Sequence, residues 1–318
     1  MSKSTKKPKM EGALTLPVSK IGNEAMQGVL TQKVFLPDGK YCIITDLHGV
    51  PEALEAIVEH CKHNGCQNII FLGDLFGGGP DLKDTIGLLQ RLCSREGIDG
   101  VSILIGVQGN HDAYFPLDAN TFSFQSLSGK PACSSVNRLL GQISDDAKAK
   151  EFLKAYLAFT PYLVELSTRS GQSILLTHYL FPFGKRSIDK ERPDILYANS
   201  STAYRPKDLW EVAPPNVAAI FLGHKHSTSV SQHKGRYLIN PGSASGIGDR
   251  LVRSGKNGKV KAKCANFVVF ELDGSIKNIE AKQVPYSATA LRKRIRKAHN
   301  GERRGASRAR SMNARFGV

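Results

Sequence analysis

Five short words of acids and histidines, each placed directly after an apolar run, constrain this chain more than any other feature. The words are Asp46-Leu47-His48, Gly73-Asp74, Gly109-Asn110-His111-Asp112, His178 and Gly223-His224-Lys225-His226. The runs before them are Tyr41 to Thr45, Asn68 to Leu72, Val101 to Val107, Ser173 to Thr177 and Val217 to Leu222. Short segments rich in Ile, Val, Leu and Phe and bounded by glycine read as buried strands. All five words then fall at strand ends, where open α/β sheets gather their ligands.

The residue types in these words share one chemistry. Carboxylate and amide oxygens combined with neutral imidazole nitrogens suit hard or borderline divalent ions better than a soft, thiolate-seeking ion. A single carboxylate can bridge two such ions about 3.5–4 Å apart, a spacing that clamps both the attacking and the leaving oxygen of an in-line displacement. Asp74 is the natural bridge.

The order D-x-H, G-D, G-N-H-D, H, G-H-x-H resembles the calcineurin-like metallophosphoesterase superfamily, over roughly residues 40 to 285. The resemblance implies a four-layer α/β/β/α sandwich of two mixed β-sheets flanked by helices. It implies two divalent metal ions, drawn from Mn, Fe, Zn, Ni or Mg. One would be held by Asp46, His48, Asp74 and His226, the other by Asp74, Asn110, His178 and His224. His111 would lie beside the phosphoryl group as an acid for the leaving oxygen or as a charge on the transition state. A water or hydroxide activated by the metals would be the nucleophile.

The stretch from Gly73 to Asp81, together with Asn240-Pro241-Gly242-Ser243 after the last word, resembles the small phosphodiesterase-like branch of the superfamily. Ser/Thr phosphoprotein phosphatases share the Asp46-Leu47-His48-Gly49 opening but carry an acid and an Arg where this chain has Gly77 and Gly78. The Arg would help hold a monoester, whose extra charge needs more cationic partners. The acid would orient His111, and Asp112 is a poor substitute because adjacent side chains rarely face one another. A phosphodiester of nucleotide-like or nucleic-acid type is therefore the expected substrate. A phosphomonoesterase is the alternative, and a nucleic-acid-associated or catalytically silent scaffold the second.

The coarse pattern places helices near Pro51, over Asp81 to Cys93, Val136 to Ile143 and Asp146 to Ala158. Strands are expected near Leu163, Leu175, Arg236 to Ile239 and Asn266 to Leu272, with a turn at Asp273-Gly274 leading into Ser275 to Val284. The insert over residues 181–216 leaves one candidate ligand and returns to another. Arg186, Arg192 and Arg205 within it are candidate substrate-binding residues. Arg250, Arg253, Lys256, Lys259, Lys261 and Lys263 read as a second basic loop.

Of the formal charge of +16, residues 1–10 carry +4 and residues 292–318 carry +9, which leaves +3 for everything between. The domain boundaries expected from this are a basic segment 1–30, a metallophosphoesterase domain 31–287 and a basic C-terminal tail 288–318. The tail has little to bury and should be disordered alone, although its first run could extend a helix. A flexible polycation fits RNA, DNA or another polyanion through counterion release. Phe316 is its one aromatic residue, so base-stacking recognition is not expected.

The six cysteines form no disulfide framework, with Cys61 and Cys93 expected on apolar helix faces. Leu54, Ile57, Val58 and Cys61 make one helical stripe, which turns His60 and His63 away from a cysteine-based metal site. With no apolar stretch near the length that spans a bilayer and no apolar core after the first lysines, the expected location is the cytoplasm. The pattern leaves the oligomeric state open.

Overall fold

The computed structural model describes residues 33–77, 79–112, 115, 136–178, 210, 213–247, 262–299 and 312. The strands are β1 (Lys33–Phe35), β2 (Gly39–Ile44), β3 (Asn68–Leu72), β4 (Ser102–Val107), β5 (Leu163–Ser167), β6 (Ser173–Thr177), β7 (Val217–Phe221), β8 (Ser229–His233), β9 (Arg236–Asn240), β10 (Ala262–Asp273) and β11 (Ser275–Ser287). Between and after them lie helices α1 (Pro51–His63), α2 (Lys83–Leu92), α3 (Ala147–Phe159) and α4 (Ala288–Ala298). Residues 136–141 are also helical.

Two mixed sheets result. The five-stranded sheet has the order β11-β10-β2-β3-β4 and the six-stranded sheet β1-β5-β6-β7-β9-β8. β2, β3 and β4 run parallel, as do β6, β7 and β9, while β10 pairs antiparallel with both β2 and β11. β6 and β7 are buried at every position, as strands covered on both faces must be. Parallel neighbours point their C-terminal ends the same way, which places the candidate words of each sheet along one edge.

Tyr41, Ile43, Ile70, Leu72 and Phe270 of one sheet pack against Leu166, Ile174, Leu176, Phe221 and Ile239 of the other. The opposite face of the five-stranded sheet, with Cys42, Ile44, Ile69 and Phe71, is covered by Leu54 and Ile57 of α1, Ile86 and Leu89 of α2, Leu153 and Leu157 of α3 and Leu291 and Ile295 of α4. Beyond the six-stranded sheet, Trp210 and Ala213 cover Leu175, Val217 and Ile220. This is the expected arrangement of two mixed sheets flanked by helices.

Helix starts follow their local sequence. Pro51 opens α1 where its missing N–H costs nothing. Asp146 and Ser287 cap α3 and α4 by accepting the N–H of Ala149 and Ala290. The Asp273-Gly274 turn joins β10 to β11 with Gly274 at φ +70°.

Three details differ from the sequence reading. Residues 288–298, read as the start of a tail, form a helix that buries Ala288, Leu291 and Ile295. Arg294 on the same helix pairs with Glu52, Asp81 and Asp84. Lys263 belongs to no exposed loop: it is 2% exposed, and its ammonium donates to the Gly246 carbonyl. Cys93 caps the end of α2 and is exposed, whereas Cys42, Cys61 and Cys66 are buried free thiols. The short edge strands β1 and β8 had no counterpart in the sequence pattern.

Candidate metal centre

Each word begins within two residues of a strand end: Asp46 after β2, Gly73 after β3, Gly109 after β4, His178 after β6 and Gly223 after β7. The chain turns sharply there. Asp46, His48, Asp74, His224 and His226 have φ of 55°, 51°, 56°, 72° and 55°. This left-handed region is strained for ordinary side chains, with Asp, Asn and His among the few that enter it, and strain of this kind clusters where a site dictates direction.

Backbone bonds hold the turns. Asp46 N donates to Gly73 O at 3.0 Å, His48 N to Asp74 O at 2.9 Å and Gly223 N to His178 O at 3.0 Å. The carbonyl of Asp46 accepts from the hydroxyls of Ser243 and Ser245 at 2.9 and 3.1 Å, so the Asn240-Pro241-Gly242-Ser243 segment braces the first word.

The carboxylates of Asp46 and Asp74 stand at the centre, both buried. Asp46 Oδ1 lies 3.1 Å from His226 Nε2, 3.7 Å from His48 Nε2 and 3.9 Å from His178 Nε2. Asp74 Oδ2 lies 3.3 Å from His178 Nε2 and 3.9 Å from His48 Nε2. His224 Nδ1 is 2.9 Å from Asn110 Oδ1. Asp46, His48 and His226 form one compact set of donor atoms, and Asp46, Asp74 and His178 another. A third set joins His48 and Asp74 with His111, whose ring stands edge-on to His48 at 4.9 Å.

Two imidazoles are fixed in orientation. His48 Nδ1 meets Gly77 O at 2.9 Å and His178 Nδ1 meets Leu72 O at 2.6 Å. A carbonyl only accepts, so each Nδ1 carries a proton and a neutral ring turns its Nε2 lone pair toward the carboxylates. Lone pairs and carboxylates aimed at one point repel unless positive charge lies among them. Without metal, a proton fills that need. Burial alone would lower the pKa of His178, yet Asp74 and Asp46 push it up to about 9. Burial raises Asp46 and Asp74, but the surrounding histidines, His178 foremost, hold both carboxyls below the usual range. Burial and His178 lower His224. Asp46 Oδ1 is buried without a hydrogen-bond donor, an arrangement that fits a cation.

The seven candidate ligands and His111 are thus gathered at one edge of the two sheets. Arg186, Arg192 and Arg205 lie outside the described residues. The carboxylate of Asp112 is taken up by other donors, and its link to His111 runs through Asp74. It is buried, and it accepts the N–H groups of Asp74, Phe76 and Gly109 and the hydroxyl of Tyr156. Burial and Asp74 push its carboxyl up to about 7.

The sequence reading missed Ser243, Ser245 and Tyr156 as site-supporting residues. Ser243 lies in a segment already singled out and Ser245 two residues beyond it, whereas Tyr156 carries no local signal. His60 packs edge-on against Phe267 and His63 faces Glu59, so the cysteine-rich stretch of α1 holds no metal cluster among its described residues.

Residues 40–256 match the family model of the calcineurin-like phosphoesterase superfamily domain. The chain belongs to that superfamily. An uncharacterized protein of Methanocaldococcus jannaschii is 24% identical over 224 residues, which cover 63% of this chain and 74% of that protein. Among solved structures, a metallophosphoesterase from Sphaerobacter thermophilus is similar with a TM-score of 0.54 at 18% identity, covering 87% of this chain and 99% of that one. A hypothetical protein from Pyrococcus horikoshii OT3 is similar with a TM-score of 0.55 at 12% identity, covering 87% and 98%. At such identities the likeness concerns the fold. Family membership makes this chain a phosphoester hydrolase by class, of a family that works with divalent metal. Among the described residues, no helix is long and apolar enough to cross a membrane.

Proposed function

We propose that this calcineurin-like phosphoesterase is a cytoplasmic phosphodiesterase that uses two divalent ions to hydrolyse a nucleotide-like or nucleic-acid phosphodiester. The observation that carries the proposal is the approach of His48, His178 and His226 to the buried carboxylates of Asp46 and Asp74, with the His224–Asn110 pair beside His178. Asp46, His48, Asp74 and His226 would hold one ion and Asp74, Asn110, His178 and His224 the other. Bound there, the ions supply Lewis acidity and lower the pKa of water from ~16 toward about 7.

The protein's own residues do the rest. His48 and His178, locked through Nδ1, present Nε2 in fixed directions. Asp74 Oδ2 lies 3.3 Å from His178 Nε2 and 3.9 Å from His48 Nε2, and Oδ1 receives the His111 N–H at 2.7 Å, which ties the position of His111 to that of the carboxylate. The His111 ring would protonate the leaving oxygen.

Preference for a diester rests on Gly77. Its φ is +75°, and a Cβ there would meet His111 Cβ at 3.1 Å and Nδ1 at 3.3 Å, so the ring occupies the space a side chain would need. Position 77 therefore sets neither acid nor cation against His111, which suits the single charge of a diester better than the dianion of a monoester. Arg186, Arg192 and Arg205 would select the substrate from the insert. The exposed Lys293, Arg296 and Lys297 of α4 and the basic residues after it would draw in a polyanion.

Hydrolysis of bis(p-nitrophenyl) phosphate and p-nitrophenyl phosphate by chelator-stripped and Mn-restored protein tests this, with Asp74→Asn as blank. Metal-restored turnover favouring the diester is the expected result. Faster monoester turnover would make the protein a phosphomonoesterase, and no turnover by metal-loaded protein would leave a binding or scaffold role.

A further inference from the structure

The buried Asp112 is a knot between two words of the site. Its Oδ2 accepts the N–H of Asp74 at 2.8 Å and of Gly109 at 3.0 Å, and its Oδ1 accepts the N–H of Phe76 at 3.0 Å. In return, Asp74 Oδ1 accepts the N–H of His111. The two loops are therefore locked to each other in both directions, and any shift of Asp112 moves the central carboxylate and the proposed acid together.

Two of the four donors on Asp112 belong to those two words, and a third, Phe76, lies two residues after Asp74. The fourth is the hydroxyl of Tyr156, at 3.2 Å, which enters from α3. α3 is itself fixed to the residue before the third word: Gln108 donates through Nε2 to the carbonyls of Leu157 and Thr160 at 2.6 and 2.8 Å, and through its backbone N–H to Pro161 at 2.7 Å. The Tyr156 ring meets Phe76 edge-on at 5.3 Å, and Phe76 meets Phe115 at 5.9 Å. The hydroxyl is thus held ready on a rigid element, as a preorganised site requires.

Resting on the metal-dependent reading above, we propose that Tyr156 is a positioning residue: through Asp112 it sets the register of Asp74 and His111 and so tunes metal affinity and turnover. Its bond is the longest of the four, so removing the hydroxyl costs the fold least while loosening the knot. Partners one step behind metal ligands commonly change metal affinity by about tenfold or more.

Tyr156→Phe removes only the hydroxyl. The expected result is Mn binding about tenfold weaker by calorimetric titration of the metal-free full chain. Amide hydrogen exchange at Asp74 and Gly109 should be faster, and kcat on the diester about tenfold lower with KM within about twofold. Phe152→Leu, which loosens packing on the same helix, should lower the thermal midpoint without these changes. Wild-type Mn affinity together with unchanged amide protection in Tyr156→Phe would overturn the inference. Exchange is read in metal-free protein, so the amide-protection arm is independent of the metal reading. That reading fails separately if Asp74→Asn binds Mn as the wild type does.

Discussion

Gly109→Ala leaves every candidate ligand in the sequence and should still disable the centre. A Cβ at Gly109 would lie 2.8 Å from Asp74 Cγ and nearer still to its Oδ1 and backbone nitrogen. Carbon atoms settle at about 3.5–4.0 Å, so Asp74 must retreat by roughly 1 Å. Nothing nearby yields cheaply, because Asp74 is tied by its own N–H to Asp112 and by Oδ1 to the His111 backbone. Overpacking of this kind costs about 1–3 kcal/mol of stability, and a misplacement near 1 Å about a hundredfold in rate. The variant should unfold a few degrees lower in chelator, bind Mn at least about tenfold more weakly and lose about a hundredfold in kcat/KM on bis(p-nitrophenyl) phosphate. Calorimetry with and without metal, followed by steady-state kinetics, reads all three. Wild-type Mn affinity and turnover in Gly109→Ala would refute the argument that close backbone approach places Asp74.

His111→Ala should keep its metal and lose about 10²–10³-fold in kcat, with the largest loss on substrates with poor leaving groups; equal rates on a poor leaving group would remove its acid role. Arg294→Met strips the cation from Glu52 and Asp81, whose side chains are 13% and 15% exposed, and should cost about 2 kcal/mol in chemical denaturation. A loss below about 0.5 kcal/mol would mean that α4 docks through Leu291 and Ile295 alone. Tyr41 donates to Pro37 O at 2.5 Å, and burial with Asp38 pushes its pKa up to about 12. The unfolded chain ionises first, near pH 10, so stability should fall by about 2 kcal/mol as pH rises from about 10 to 12, and Tyr41→Phe should flatten that limb. Removing residues 300–318 should weaken RNA binding and reduce its salt dependence; affinity unchanged by the truncation would take the polyanion role away from those residues.

The words at the strand ends were readable because a metal-binding constellation uses rare residue types at places that apolar runs announce. What stayed hidden depended on long-range contact. Asp112 sits next to His111 in sequence, but its side chain turns to backbone N–H groups of both loops, and Tyr156 reaches it from 44 positions away. Charge alone placed Lys263 in a basic loop, whereas pairing of β10 with β11 carries it inside to the Gly246 carbonyl. Leu291 and Ile295, four apart, were a visible helical stripe in a segment dominated by Arg and Lys. The three-residue β1 owes its existence to parallel pairing with β5, more than a hundred positions on, a contact no local pattern encodes.

The most direct test of the two-ion centre is a calorimetric Mn titration of the chelator-stripped full chain beside Asp74→Asn, with bound metal counted independently by mass spectrometry. The account predicts two ions per chain for the wild type and loss of both tight sites in the variant, since Asp74 would serve both. A single ion in the wild type, or two ions retained in Asp74→Asn, would contradict it.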